Sequence, residues 1–134
     1  MNISLDTLLE AMNKVEASGR KIKVPDGDNG TRIGPLQISE DYFTESMECL
    51  NKNGIQMKAP QFKNQWDGCR TWLFSKIIVW AYMNRYCPKA VRNGDWERIA
   101  RIHNGGPNGY KKRATEGYWA KVKTALENIT GERY

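Results

Sequence analysis

The sequence predicts a mainly α single domain spanning residues 1–134, with about five helices around an apolar central helix and a small turn or hairpin insert at residues 20–34. Three observations carry this expectation. Apolar residues recur at spacings of three and four in several separate stretches, bounded by capping residues and by Gly or Pro. One stretch, "WLFSKIIVWAYM", is apolar nearly all round, which suits a helix surrounded by others. After the first helical stretch comes a polar segment, "GRKIKVPDGDNGTRIG", whose Pro-Asp-Gly and Asn-Gly steps favour turns.

In chain order, Ser4 is a good N-cap, and Asp6 falls in the favourable first turn. Leu5, Leu8, Leu9, Met12 and Val15 form one stripe, and Gly19 is a natural stop, which puts Glu16 in the last turn. Ile22–Val24 reads as a short extended piece, and a small hairpin is expected from Ile22 to Ile33. Such a hairpin is marginal alone and must lean on the helices. Ser39 caps a second helix, about Glu40 to Asn51, with Tyr42, Phe43, Met47 and Leu50 on its apolar face. Residues 52–65, broken by Gly54 and Pro60, read as loop. The central helix is expected from about Trp66 to Tyr86, where Pro88 ends it. Asp95 caps a short helix through Trp96, Ile99 and Ile102 that closes at "HNGGPNG". The last helix, about Thr115 to Ile129, stops at Gly131.

Composition narrows the function classes. Hydrophobic residues at 40% and fourteen aromatics (five Trp, six Tyr, three Phe) supply a core and argue against disorder. A net charge of +6 favours an anionic partner without choosing among nucleic acid, membrane surface and cell wall. Short clusters at Arg20–Lys23 and Lys111–Arg113 leave a nucleic-acid partner resting on net charge alone, so none is expected. Cys49, Cys69 and Cys87 make no disulfide framework, and on one helix the last two would stand roughly 27 Å apart. No signal-peptide pattern follows Met1, and the apolar run Ile77–Met83 is too short to cross a membrane.

Two carboxylates of contrasting setting suggest glycosidic chemistry. Cleaving such a bond needs a proton for the leaving oxygen and relief of positive charge on the sugar ring. Glu16 suits the first task, because an apolar neighbourhood and a helix C-terminus both favour a protonated carboxyl. Asp28, or its competitor Asp26, suits the second from a turn whose backbone N–H groups keep it ionised. Taken singly, a Glu in a final turn is ordinarily a solvated group, and an Asp before Gly or Asn ordinarily serves the turn.

The segments "VEASGR", "DGDNG", "IGPLQISEDYF", "ARIHNGGPNG" and "ATEGYWAKV", in that order, resemble the invertebrate-type (destabilase-like) lysozymes and their bacterial and phage-borne relatives. A looser likeness reaches goose-type lysozymes and soluble lytic transglycosylases. The resemblance implies an α+β lysozyme-like fold and a muramidase that cleaves the β-1,4 bond between N-acetylmuramic acid and N-acetylglucosamine. It places the general acid on Glu16 and, after a one-residue adjustment, the second carboxylate on Asp28. It implies bacterial peptidoglycan as partner, no cofactor and no metal. Gln37 is expected to bond a sugar amide or brace the cleft, and Tyr42 to stack on sugar or join the core. His103 is expected to face substrate or brace the loop at a helix end, with Asn104 and Gly105 beside it facing substrate. A Ser–His isopeptidase pairing of His103 with Ser18 or Ser39 lacks a third orienting group.

Animal members are secreted and cysteine-dense; this chain is nearly cysteine-free, with Tyr110 at a family half-cystine position. That departure points toward the bacterial or phage relatives; a monomer acting at the bacterial wall is expected, and with no export signal visible, delivery by a phage or a secretion apparatus fits. Two rival functions remain, a lytic transglycosylase using Glu16 alone and an inactive wall-binding or virion structural module.

Overall fold

Several helices start or stop where local chemistry provides a cap. The computed structural model describes residues 3–58 and 62–134. Helix α1 (Leu5–Ala17) opens with the Ser4 hydroxyl accepting the Thr7 amide at 3.3 Å. It closes with Ser18 and Gly19 in the left-handed region, their amides both returning to the Asn13 carbonyl. Helix α2 (Glu40–Lys52) opens in the same way on Ser39, which accepts the Tyr42 amide.

The expected hairpin from Ile22 to Ile33 is displaced downstream. The paired strands are β1 (Arg32–Ile33) and β2 (Ile38–Ser39), antiparallel, with Arg32 opposite Ser39 and Ile33 opposite Ile38. Burial explains the shift. Ile22 stays 74% exposed, whereas Ile33, Leu36 and Ile38 are fully buried, so pairing forms where the apolar side chains meet the helices. Of the earlier residues, Gly27 meets the sheet through an isolated bridge to Arg32.

The expected start of the central helix at Trp66 is also corrected. Residues Gln65–Arg70 form a 3₁₀ turn, and extended Thr71 separates it from helix α3 (Trp72–Tyr86). Gly34 accounts for the break: a Cβ there would lie 1.9 Å from the Cys69 carbonyl oxygen, so the β1–β2 turn and the 3₁₀ turn touch backbone to backbone. Cys69 and Cys87 therefore belong to different elements, and all three cysteines are free. Burial pushes the Cys69 thiol up to about 12 and the Cys87 thiol to about 11. Of the expected loop at 52–65, Gly54 turns with a positive φ, and Pro60 lies outside the described residues.

Pro88 ends α3 as expected and also occupies the first turn of a short helix α4 (Pro88–Asn93) that the sequence did not suggest. Asp95 caps α5 (Trp96–Gly105) by accepting the Arg98 amide, and Gly131 closes α6 (Glu116–Thr130). Helix α1 packs mainly on α6 and α2 on α3, while α5 lies against α3, α4 and α6. The common core includes Leu8, Met12, Ile78, Met83, Ile99, Ile102, Val122 and Leu126, all essentially inaccessible. On the outer side of α3, Leu73 and Trp80 remain exposed. No helix among the described residues is long and apolar enough to cross a membrane.

Candidate active site

Glu16 projects from the last turn of α1 and keeps only 14% of its side chain exposed. Its neighbour is His103 of α5, with Nε2 3.3 Å from Glu16 Oε2. That same nitrogen lies 2.9 Å from the Leu36 carbonyl oxygen, and the other ring nitrogen, Nδ1, lies 2.9 Å from the Tyr42 hydroxyl. Tyr42 stacks on Tyr82 with ring centroids 3.8 Å apart and planes within 8°. Burial pushes the Tyr42 phenol well above its ordinary range, helped by Tyr82, Tyr118, Cys87 and Glu16. Tyr118 of α6 flanks the imidazole at 6.4 Å, and its buried hydroxyl has no partner among the described residues.

Asn13 holds this group in register, a role the sequence reading missed. It is fully buried inside α1, donates to the Arg20 and Pro35 carbonyls at 2.9 and 3.0 Å, and accepts from Lys21 at 2.6 Å. Both ends of the 20–35 segment are thereby fixed to the helix that carries Glu16, and the Leu36 carbonyl is delivered to His103. A polar residue at the inner edge of the first helix's apolar stripe was the available signal.

Beside these residues lies a groove of about 380 Å³, lined among others by Arg32, Asp41, Tyr42, Glu45, His103 and Asn104. Tyr42, His103, Asn104 and Gly105 thus line one groove, although Tyr42 and His103 are themselves nearly buried. Asp41 and Glu45 are groove carboxylates that the sequence reading did not single out; Glu45 accepts from the Tyr86 hydroxyl at 3.0 Å. Gly105 packs closely as well as lining the groove, for a Cβ there would meet Thr115 Cγ2 at 2.5 Å. Two other hollows, of about 460 and 470 Å³, lie along Val91–Trp96–Tyr134 and Leu73–Trp80; neither includes His103, and Glu16 meets the first groove only through that histidine.

Gln37 is placed behind the groove. Its amide nitrogen donates to the Gly34 carbonyl at 3.0 Å and reaches the Pro25 carbonyl at 3.5 Å, the bracing alternative for this residue. The loop carboxylates are exposed and paired. Asp28 keeps 70% of its side chain exposed and lies 2.9 Å from the groove-lining Arg32. Asp26 bonds both terminal nitrogens of Arg70, at 2.5 and 3.3 Å, and that guanidinium holds its carboxyl below the usual range. Ser18 is exposed at the end of α1, and the Ser39 hydroxyl is engaged in capping α2.

A helical domain with a short two-stranded hairpin and an enclosed Glu at the end of its first helix defines the α+β lysozyme-like class. One chain of the crystal structure of Aeromonas hydrophila PliI in complex with Meretrix lusoria lysozyme superposes with a TM-score of 0.65, covering 98% of this chain and 96% of that one at 25% identity. The family model described as Destabilase matches residues 6–125, so the chain belongs to the destabilase family, that of the invertebrate-type lysozymes. Among named relatives, a lysozyme of Meretrix lusoria is 38% identical over 92% of this chain and 88% of its own length. Invertebrate-type lysozyme 6 of Caenorhabditis elegans is 30% identical over 86% and 82%. Lysozyme 1 of Crassostrea virginica is 33% identical over 86% of this chain, which spans only 56% of that protein.

Proposed function

We propose that the chain is a lysozyme of the bacterial cell wall, a muramidase that cleaves the β-1,4 bond after N-acetylmuramic acid. The observation that carries this reading is the setting of Glu16: enclosed, and 3.3 Å from His103, which itself lines an open groove. Glu16 gives its proton to the leaving oxygen as the glycosidic bond breaks and then takes a proton from the attacking water. Asp28, next to the groove through Arg32, is the carboxylate that offsets or traps the positive charge on the ring. A net charge of +6 concentrates such an enzyme on an anionic wall. With no cofactor needed, the site acts through its own side chains, and delivery by a phage or secretion apparatus fits a chain so poor in cysteine.

A second reading rests on the ion pairs. Asp26 and Asp28 are both engaged by arginines, and a lytic transglycosylase needs neither, since Glu16 alone serves as acid and then base while the sugar closes an anhydro ring. Digestion of purified peptidoglycan by wild type, Glu16→Gln and Asp28→Asn, with mass analysis of the fragments, separates these readings. Glu16→Gln is expected to lose activity by about 10²–10⁴-fold; full activity there overturns the mechanism. Asp28→Asn is expected to be nearly inactive for a two-carboxylate enzyme. Retained activity with fragments lighter by one water establishes the transglycosylase, and binding without turnover by the wild type establishes a silent wall-binding module.

A further inference from the structure

The surroundings of His103 go beyond the assignment of Glu16, and they rest on it. A backbone carbonyl only accepts hydrogen bonds, so Nε2, at 2.9 Å from the Leu36 oxygen, carries a proton. The Tyr42 phenol stays protonated, and among the described residues its only partner is Nδ1 at 2.9 Å. The hydroxyl therefore donates, and Nδ1 spends its lone pair accepting. A second proton on the ring would turn the phenol oxygen into the acceptor and leave the phenol proton with no acceptor among the described residues, in a site where Tyr42 is 8% and His103 3% exposed.

We infer that His103 is a positioning residue for Glu16, held by Tyr42 as the neutral imidazole with its proton on Nε2. That proton is shared between the Leu36 oxygen and Glu16 Oε2, at 2.9 and 3.3 Å. With an N–H donor against it, Oε2 is the accepting oxygen of the carboxyl. The acid proton then resides on Oε1, which no described residue bonds, and leaves from there to the glycosidic oxygen. The titratable and charged groups around the pair are Glu16 on α1, Arg32 on β1, Asp41, Tyr42 and Glu45 on α2, Tyr82 on α3, Lys112 ahead of α6 and Tyr118 on α6. The carboxyl against the ring is Glu16 itself, at Nε2, and in the protonated form that an acid catalyst needs it carries no charge to favour imidazolium.

Two consequences follow from the ring being occupied at both nitrogens. His103 has no free lone pair to serve as base for Ser18 or Ser39, so a Ser–His nucleophile is not built here. Its effect on catalysis runs through the placement of Glu16 rather than through contact with sugar.

His103 is the only histidine in the chain, so nitrogen-15 labelling of histidine gives one ring to read. In the wild-type protein at pH 7 the spectrum is expected to show a protonated Nε2 and an unprotonated Nδ1. Imidazolium, or a proton on Nδ1, overturns the inference whatever the activity. Tyr42→Phe keeps the stack on Tyr82 and removes only the donor; mixed tautomers and a kcat lower by about 10-fold with KM unchanged are expected. His103→Gln places an N–H near the Nε2 position and is expected to retain about 10-fold more kcat than His103→Asn, which does not reach. Equal kcat in both variants and wild type overturns the positioning role. Should Glu16→Gln remain fully active instead, the acid assignment fails while the tautomer reading stands on its spectrum.

Discussion

Glu16 and the loop aspartates carry the same functional group in opposite surroundings. Glu16 is enclosed between three helices and meets a neutral N–H donor. Asp26 and Asp28 sit on a glycine-rich surface turn and meet guanidinium groups. An enclosed carboxyl is fixed in place by packing. An exposed one keeps its charge, and water screens its partners, so its pairing adds little to stability. Glycoside cleavage asks for one carboxyl that delivers a proton and one that remains charged, and the fold provides both kinds within one 20–35 segment and the helix before it.

The largest effect expected is at the seam that encloses Glu16. Gly34 has φ of 77°, and its Cα faces the Cys69 carbonyl so closely that a Cβ would overlap it. Gly34→Ala must push two backbones apart and is expected to cost about 3 kcal/mol or more, read by denaturant unfolding. The Leu36 carbonyl shifts with it, so activity should fall further than stability alone explains. A cost under about 1 kcal/mol would mean that the two turns are not in contact.

Asn13→Ala is expected next in size. It strips the Arg20 and Pro35 carbonyls and the Lys21 ammonium of a buried partner, a loss of about 2–3 kcal/mol. An unchanged midpoint would show that water replaces the amide without cost. If the variant is less stable yet fully active when folded, the loop finds its place without Asn13.

These two positions also mark what the sequence made legible. Helices were readable because caps such as Ser4, Ser39 and Asp95 and stops such as Gly131 act over a single turn. The hairpin was misplaced because Ile22 and Ile33 look alike in sequence, and only the packed helices decide which one is covered. The start of α3 was misplaced for the same reason, since Gly34 meets Cys69 across 35 positions of chain. At the site, Glu16, Tyr42 and His103 were named from sequence, but their mutual contacts were not. Tyr42 was read as stacking on sugar or joining the core; the structure nearly buries it against His103, and His103 in turn against Glu16 and Leu36.

The smallest effect sharpens the exposed side of the comparison. Arg70 holds the Asp26 carboxyl below its ordinary range, chiefly through its hydrogen bonds. A carboxyl depressed on folding adds stability above its unfolded value, about 3.9, and that contribution is lost as pH falls through the depressed folded value. Asp26→Asn should therefore melt slightly below wild type at pH 7, and the two melting curves should converge as the solution is acidified through that window. A gap that persists unchanged at pH 2 would assign the loss to turn geometry rather than to charge. Because the pair is solvent-facing, added salt should also narrow the gap at pH 7, whereas salt should leave the penalty of Asn13→Ala, which lies in buried hydrogen bonds, nearly untouched.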